Sequence, residues 1–207
     1  SFARHVMASD FDGTMTDASV ASPNNITIES SYRDAVLQVF GEGGLEVYDL
    51  IGGLQNREGQ ELTNMIVKVA DEQGIKITNG DRDLISLGTQ LTEEKLVVLL
   101  PEISPEWPVI RPGYKDLINR TLPNISSGFV IVSSGHDAFI RKVFDVNDIP
   151  QPDILITSDT LRAIGVEGRH KPDPFGLTHA LQQYARGLGY VPDSVMYIGD
   201  SDAKDGG

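Results

Sequence analysis

Two carboxylates stand two positions apart in Asp10-Phe11-Asp12-Gly13-Thr14. From average residue usage such a pattern arises by chance on the order of 10⁻⁵ per start position, so it asks for a chemical reason. On an extended loop two such side chains can face one cleft, where like-charge repulsion and unequal solvation drive their pKa values apart. One carboxylate can then act as an ionised nucleophile while the other carries a proton. The architectural alternative is an Asx-turn or helix cap made by Asp12-Gly13-Thr14.

Three later groups carry residue types that could bind an anion or a metal ion. In Val130-Ile131-Val132-Ser133-Ser134-Gly135-His136-Asp137 the Ser133 hydroxyl and the Gly135 amide could bind phosphoryl oxygens. Lys171 lies in Arg169-His170-Lys171-Pro172-Asp173-Pro174, where prolines hold the chain extended, and its ammonium could neutralise charge on a transferring phosphoryl group. Gly199-Asp200-Ser201-Asp202-Ala203-Lys204-Asp205 places acids at a strand end, as a hard, oxygen-seeking Mg²⁺ requires. Taken singly, these are also what a turn serine, a surface lysine and helix-start acids look like. His136, Asp137 and His170 flank the groups and read as polar caps or substrate-side contacts.

Such residues need strand ends to hold them. Short apolar runs feed each polar cluster: Arg4–Ser9 before Asp10, Phe129–Val132 before Ser133, Ile154–Ile156 before Thr157-Ser158-Asp159, and Val195–Ile198 before Gly199. Helical stretches are predicted between them at Pro112–Leu122, Asp137–Phe144 and Pro174–Leu188. Alternation of this kind predicts a parallel α/β sheet with helices on both faces and ligands bound outside the carboxyl ends of the strands. From about Asp17 to Trp107 the alternation breaks. Leu62, Met65, Ile66, Val69 and Ala70 trace one face of a helix, Thr92 precedes a second helical run over Glu93–Leu100, and Pro101–Pro112 reads as a hinge. The expected organisation is a core of 1–16 and 108–207 with a mainly helical lobe, 17–107, inserted after the first strand.

Composition narrows the possibilities. The chain has 207 residues, 40% of them hydrophobic and 23% charged, the range of a globular domain. Its net charge of −13 argues against a non-specific nucleic-acid or anionic-membrane binder, so an anionic ligand must be gripped locally. With no cysteine, disulfides, zinc-thiolate sites, iron–sulfur clusters and cysteine nucleophiles drop out together. Apolar runs such as Val97–Leu100 fall far short of the roughly 20 residues of a membrane span, and Ser1–Asp10 lacks a signal-peptide core; a cytoplasmic protein is the expectation.

The four groups, in this order, resemble the motifs of the haloacid dehalogenase superfamily of phosphotransferases, and Ser133-Ser134-Gly135-His136-Asp137 is most similar to the phosphoserine-phosphatase branch. The resemblance covers Arg4–Thr14 and Val109–Asp205. It implies a Rossmann-like parallel-sheet core with the inserted lobe as a helical cap over the substrate. It implies that Asp10 is the nucleophile, forming an aspartyl-phosphate, and Asp12 the general acid and base. Ser133, Ser134, Gly135 and Lys171 would bind the phosphoryl group. The Asp10 and Asp200 carboxylates and the Asp12 backbone carbonyl would hold Mg²⁺, with Asp205 behind them and Asp202 the competitor for that last position. The implied activity is that of a Mg²⁺-dependent phosphomonoester hydrolase on a small phosphorylated metabolite; a phosphomutase or a non-hydrolytic phospho-acceptor or scaffold are the alternatives. In the lobe, Glu46, Arg57 and Glu58 are candidate specificity contacts, Arg57 as a partner for a substrate carboxylate. Because the superfamily core continues past its last acidic motif, a chain ending at Gly207 is expected to be truncated.

Overall fold

The structure is a computed structural model, and it describes residues 5–199 apart from 18, 56, 58, 126, 127, 167, 168, 170 and 172. The chain divides into two compact units, Ser1–Val20 with Ile103–Gly207, and Ala21–Glu102. Along the first unit run β1 (His5–Ser9) and the short β2 (Thr16–Asp17). The second unit holds three helices, α1 (Ile28–Leu50), α2 (Gly59–Gln73) and α3 (Leu84–Leu99). The first unit resumes with β3 (Val109–Ile110), then α4 (Tyr114–Asp116) and α5 (Leu122–Asn124) joined through a π-helical turn at Leu117–Thr121. It ends with β4 (Gly128–Val132), α6 (Asp137–Val146), β5 (Ile154–Ile156), α7 (Ser158–Ala163), α8 (Phe175–Leu188) and β6 (Ser194–Ile198).

Four strands form one parallel sheet in the order β5-β4-β1-β6. Val6 pairs with Gly128 on one side of β1 and with Val195 on the other. Flanked on both sides, β1 and β4 are apolar and buried almost throughout, as parallel strands are. One cluster packs Val6, Ala8, Val130, Ile156, Ala180 and Tyr184 together. Aromatic rings make another: Phe11 stands 6.0 Å from Phe144 and 6.4 Å from Phe139, which packs edge-on to Trp107 at 6.1 Å. Gly128 is required by close approach, since a β-carbon there would lie 2.1 to 2.5 Å from the end of the buried Tyr184 ring. Gly128→Ala should therefore displace that ring and cost about 1–3 kcal/mol in chemical denaturation, with activity per folded molecule retained.

The helical unit has its own core of Tyr32, Val36, Phe40, Leu62, Ile66 and Leu91. The start of α1 is a capping box, with Thr27 Oγ1 accepting from Ser30 N–H and Ser30 Oγ accepting from Thr27 N–H. Halfway along, Gly41 takes φ 70° and breaks the helical path. The kink strands two carbonyls, and residues beyond α2 satisfy them: Asn79 Nδ2 donates to Val39 O and Thr78 N–H to Phe40 O, both at 2.9 Å. The helix expected to begin after Thr92 begins earlier, where Asp83 accepts from Ser86 N–H at 2.9 Å. Thr92 lies inside α3 and donates to Gly88 O instead.

Candidate active site

Asp10 follows directly on β1, and its N–H bonds Ile198 O at 2.9 Å, continuing the pairing with β6. Phe11 is wholly buried among the aromatic rings, which turns its two neighbours away from that cluster. Asp10 is itself 6% exposed, whereas Asp12 is open to solvent. Gly13, at φ 79°, lets the chain turn back, and the turn is braced by Arg111, whose Nε donates to Gly13 O at 3.0 Å and whose N–H donates to Met15 O at 2.9 Å. The small β2–β3 pair, Thr16 opposite Ile110, carries Arg111 into that position.

Asp10 Oδ1 receives a bond from Phe11 N–H at 2.7 Å and lies 3.0 Å from Lys171 Nζ. Both side chains of this ion pair are largely shielded, at 9% and 12% exposure, so the attraction is screened far less than at a surface. Tyr197 of β6 stands at the same ammonium, its hydroxyl 3.4 Å from Nζ. The segment carrying Lys171 is clamped by Arg169 and Asp173: Nε and a terminal nitrogen reach the two carboxylate oxygens at 3.0 and 3.2 Å, and the guanidinium lies 4.4 Å over the Phe175 ring. The hydrogen bonds from Arg169 and from the Phe175 N–H, with the charge of Arg169, keep the Asp173 carboxyl below the usual carboxylate range.

Ser133 leaves β4 with its N–H bonded to Ile156 O at 2.9 Å, and its hydroxyl accepts from Gly135 N–H at 3.0 Å. Asp12 reaches the same place: a β-carbon on Gly135 would stand 3.0 Å from Asp12 Oδ2 and 3.2 Å from Ser133 Oγ. Asp10, Lys171, Asp12, Ser133, Ser134 and Gly135, far apart in the chain, thus gather at the carboxyl end of the sheet in two adjoining groups. Asp200, Asp202, Asp205, His170 and Glu58 lie outside the described residues. Among the described residues no group of three or more His, Cys, Asp or Glu could hold a metal ion. The described chain offers Asp10 and Asp12 to such an ion, oxygen donors only, which suits Mg²⁺ rather than a soft metal. In the helical unit Arg57 spends its guanidinium on the loop after α1, bonding Ile51 O, Gly53 O and Gln55 Oε1 at 3.4, 3.3 and 3.1 Å, while Glu46 is exposed.

Of the residues that brace this site, His136 lies within the serine-bearing segment, whereas Asp159 lies outside all four groups. His136 is 5% exposed, and its Nδ1 meets Asp159 Oδ1 at 3.1 Å. Burial pushes the Asp159 carboxyl up, but the bond and charge of His136, the Asp137 N–H and Arg162 outweigh it and hold the group below its ordinary value. A carboxyl lowered in the folded state stabilises the protein above the unfolded value, about 3.9, and that contribution disappears as pH falls through the folded value. Melting temperature should accordingly drop through the region below about pH 4, and Asp159→Asn should flatten that acid limb. A limb of unchanged steepness in the variant would contradict the assignment.

No family model matches the chain, and neither does any curated protein. Solved structures do match. They show the fold: the chain folds as haloacid dehalogenase-like proteins do. Among the matches is CbbY from Rhodobacter sphaeroides, solved as a mutant with xylulose-(1,5)bisphosphate, at 17% identity and a TM-score of 0.56, covering 93% of this chain and 76% of that one. A Thermotoga maritima protein named as a beta-phosphoglucomutase matches at 17% identity and 0.54, covering 97% and 78%. A haloacid dehalogenase-like protein from Bacteroides fragilis, named as a hydrolase, matches at 22% identity and 0.52, covering 96% and 79%. No described helix is long and apolar enough to cross a membrane.

Proposed function

We propose that this chain is a Mg²⁺-dependent phosphomonoester hydrolase that works through an aspartyl-phosphate on a small phosphorylated metabolite in the cytoplasm. The observation that carries the reading is the shielded pair of Lys171 Nζ and Asp10 Oδ1 at 3.0 Å, beside the meeting of Asp12 and Ser133 at Gly135. An isolated buried pair would be a poor use of two charges. Next to a hydroxyl, a backbone amide and a second carboxylate, it makes a phosphoryl cradle with its nucleophile in place.

In the first step an Asp10 carboxylate oxygen attacks phosphorus, the ester P–O bond breaks, and Asp12 gives its proton to the departing alkoxide. Asp12 then takes a proton from water. The oxygen of that water displaces phosphate from Asp10 and restores the carboxylate. Ser133, with Ser134 and Gly135, holds the equatorial oxygens together with Lys171, whose charge offsets repulsion between an anionic nucleophile and an anionic substrate. The Asp10 and Asp200 carboxylates and the Asp12 backbone carbonyl, with Asp205 behind them, would hold Mg²⁺, which would supply further neutralisation of charge on the phosphoryl oxygens. Asp12 is what suits the chain to esters, because an alkoxide leaving group needs a proton.

Purified protein incubated with p-nitrophenyl phosphate and Mg²⁺ should release nitrophenol over many turnovers, and excess EDTA should stop it. A stoichiometric phospho-protein without release would favour the phospho-acceptor alternative; neither labelling nor release would sink the proposal. Mutase chemistry, suggested by the fold shared with a protein named as a beta-phosphoglucomutase, would show as phosphate transferred between hydroxyls of one sugar with little free phosphate.

A further inference from the structure

Ser133 and Gly135 can bind phosphoryl oxygens only if their loop is already shaped, and the turn Thr157–Asp159 grips that loop at successive residues. Ser158 Oγ donates to Ser134 O at 2.6 Å, and Ser158 N–H to Gly135 O at 3.2 Å. Asp159 takes the next two residues, His136 through Oδ1 at 3.1 Å and Asp137 N–H through Oδ2 at 2.9 Å. Thr157 Oγ1 donates to Asp137 Oδ1 at 2.6 Å.

The grip also solves a problem in α6. Its N-cap residue is His136, whose side chain makes no cap bond, and the first N–H groups of a helix have no partner within it. Asp159 supplies an acceptor to the Asp137 N–H from another element, and its negative charge sits favourably at a helix N-terminus. One carboxylate, fixed by bonds on both its oxygens, thereby sets where the helix starts and where the loop before it lies.

We propose that Asp159 is a positioning residue for the phosphoryl-binding loop, capping α6 from the first turn of α7 so that Ser133 and Gly135 are shaped before substrate arrives. It touches no substrate. The proposal rests on the phosphatase reading for the loop's purpose, but its first test does not.

That test is amide hydrogen exchange in the ligand-free protein. Asp159→Ala should speed exchange at Gly135–Asp137 by about tenfold or more, because opening of the loop becomes easier. Asp159→Asn keeps an acceptor for Asp137 but loses the charge facing His136, and should fall between Ala and wild type. The second readout is kinetic. With p-nitrophenyl phosphate, KM and the inhibition constant of inorganic phosphate should rise together by about tenfold in Asp159→Ala, with kcat changed much less, as expected when binding common to ground and transition states is lost. Should the alanine variant fail to fold, Asp159→Asn decides alone. Exchange and KM equal to wild type in a folded variant would overturn the proposal, even if its melting temperature fell. Faster exchange in a protein whose wild type shows no turnover would uphold Asp159 and remove the phosphatase reading instead.

Discussion

Asp10→Asn should lose at least about 10⁴-fold in turnover of p-nitrophenyl phosphate while its circular dichroism stays that of the wild type. An amide oxygen is too weak a nucleophile to open a phosphate ester, and the neighbouring groups bind but do not replace it. The fold should survive because the substitution keeps size and an acceptor for Phe11 N–H, which bonds Oδ1 at 2.7 Å. Phe11 itself still fills the aromatic cluster that anchors the segment. Mass spectrometry should then find no phospho-protein after incubation with substrate. Substantial Mg²⁺-dependent turnover in this variant would remove Asp10 from the role of nucleophile.

Lys171→Met comes next in size, with an expected fall in kcat/KM of about 10²–10³-fold. Methionine nearly matches the length of the stem, so packing beside Tyr197 is kept and the charge alone goes. Both parts of the kinetics should suffer: KM because a phosphoryl contact is lost, kcat because the Asp10 carboxylate and the phosphoryl oxygens now repel without relief. Stability changes as well. Asp10 is left with a shielded negative charge deprived of its partner at 3.0 Å, a loss on the order of 3 kcal/mol when measured in EDTA. Added Mg²⁺ should return part of it, and a melting temperature insensitive to Mg²⁺ in both proteins would argue against an ion beside Asp10.

The candidate site is more legible in the sequence than the residues that support it. Asp10, Asp12, Ser133 and Lys171 stand out because each follows an apolar run or, for Lys171, leads into Pro172 and Pro174, and the parallel sheet brings the carboxyl ends of its strands to one side. Phe129–Val132 reads as a strand for the same reason it is buried: a strand covered on both faces has no polar residue to alternate with. Thr157-Ser158-Asp159 was visible as a polar strand end, but its partners depend on β5 lying beside β4, a fact of strand order that no local pattern carries. α1 carries no clear helical signature in the sequence because Gly41, Gly43 and Gly44 interrupt its periodicity. It persists through tertiary help, from Thr78 and Asn79 on its freed carbonyls and from its buried face. Thr92 shows the opposite error. A threonine can cap a helix or bond back to the preceding turn within one, and only the contacts of α3 decide which.

The strand order also says something about how the protein is made. β1 leaves the ribosome before its partners, Gly128–Val132 and Ser194–Ile198, so it must wait until both have been synthesised. Meanwhile Ala21–Glu102, whose core is drawn from helices close together in the chain, can close early through local contacts. For that interval the nascent chain carries one settled helical unit behind an apolar strand with nothing to pair with. The segment bearing Asp10 is therefore made well before the strands that give it its shape, so its shielding by chaperones during translation bears directly on the yield of folded protein.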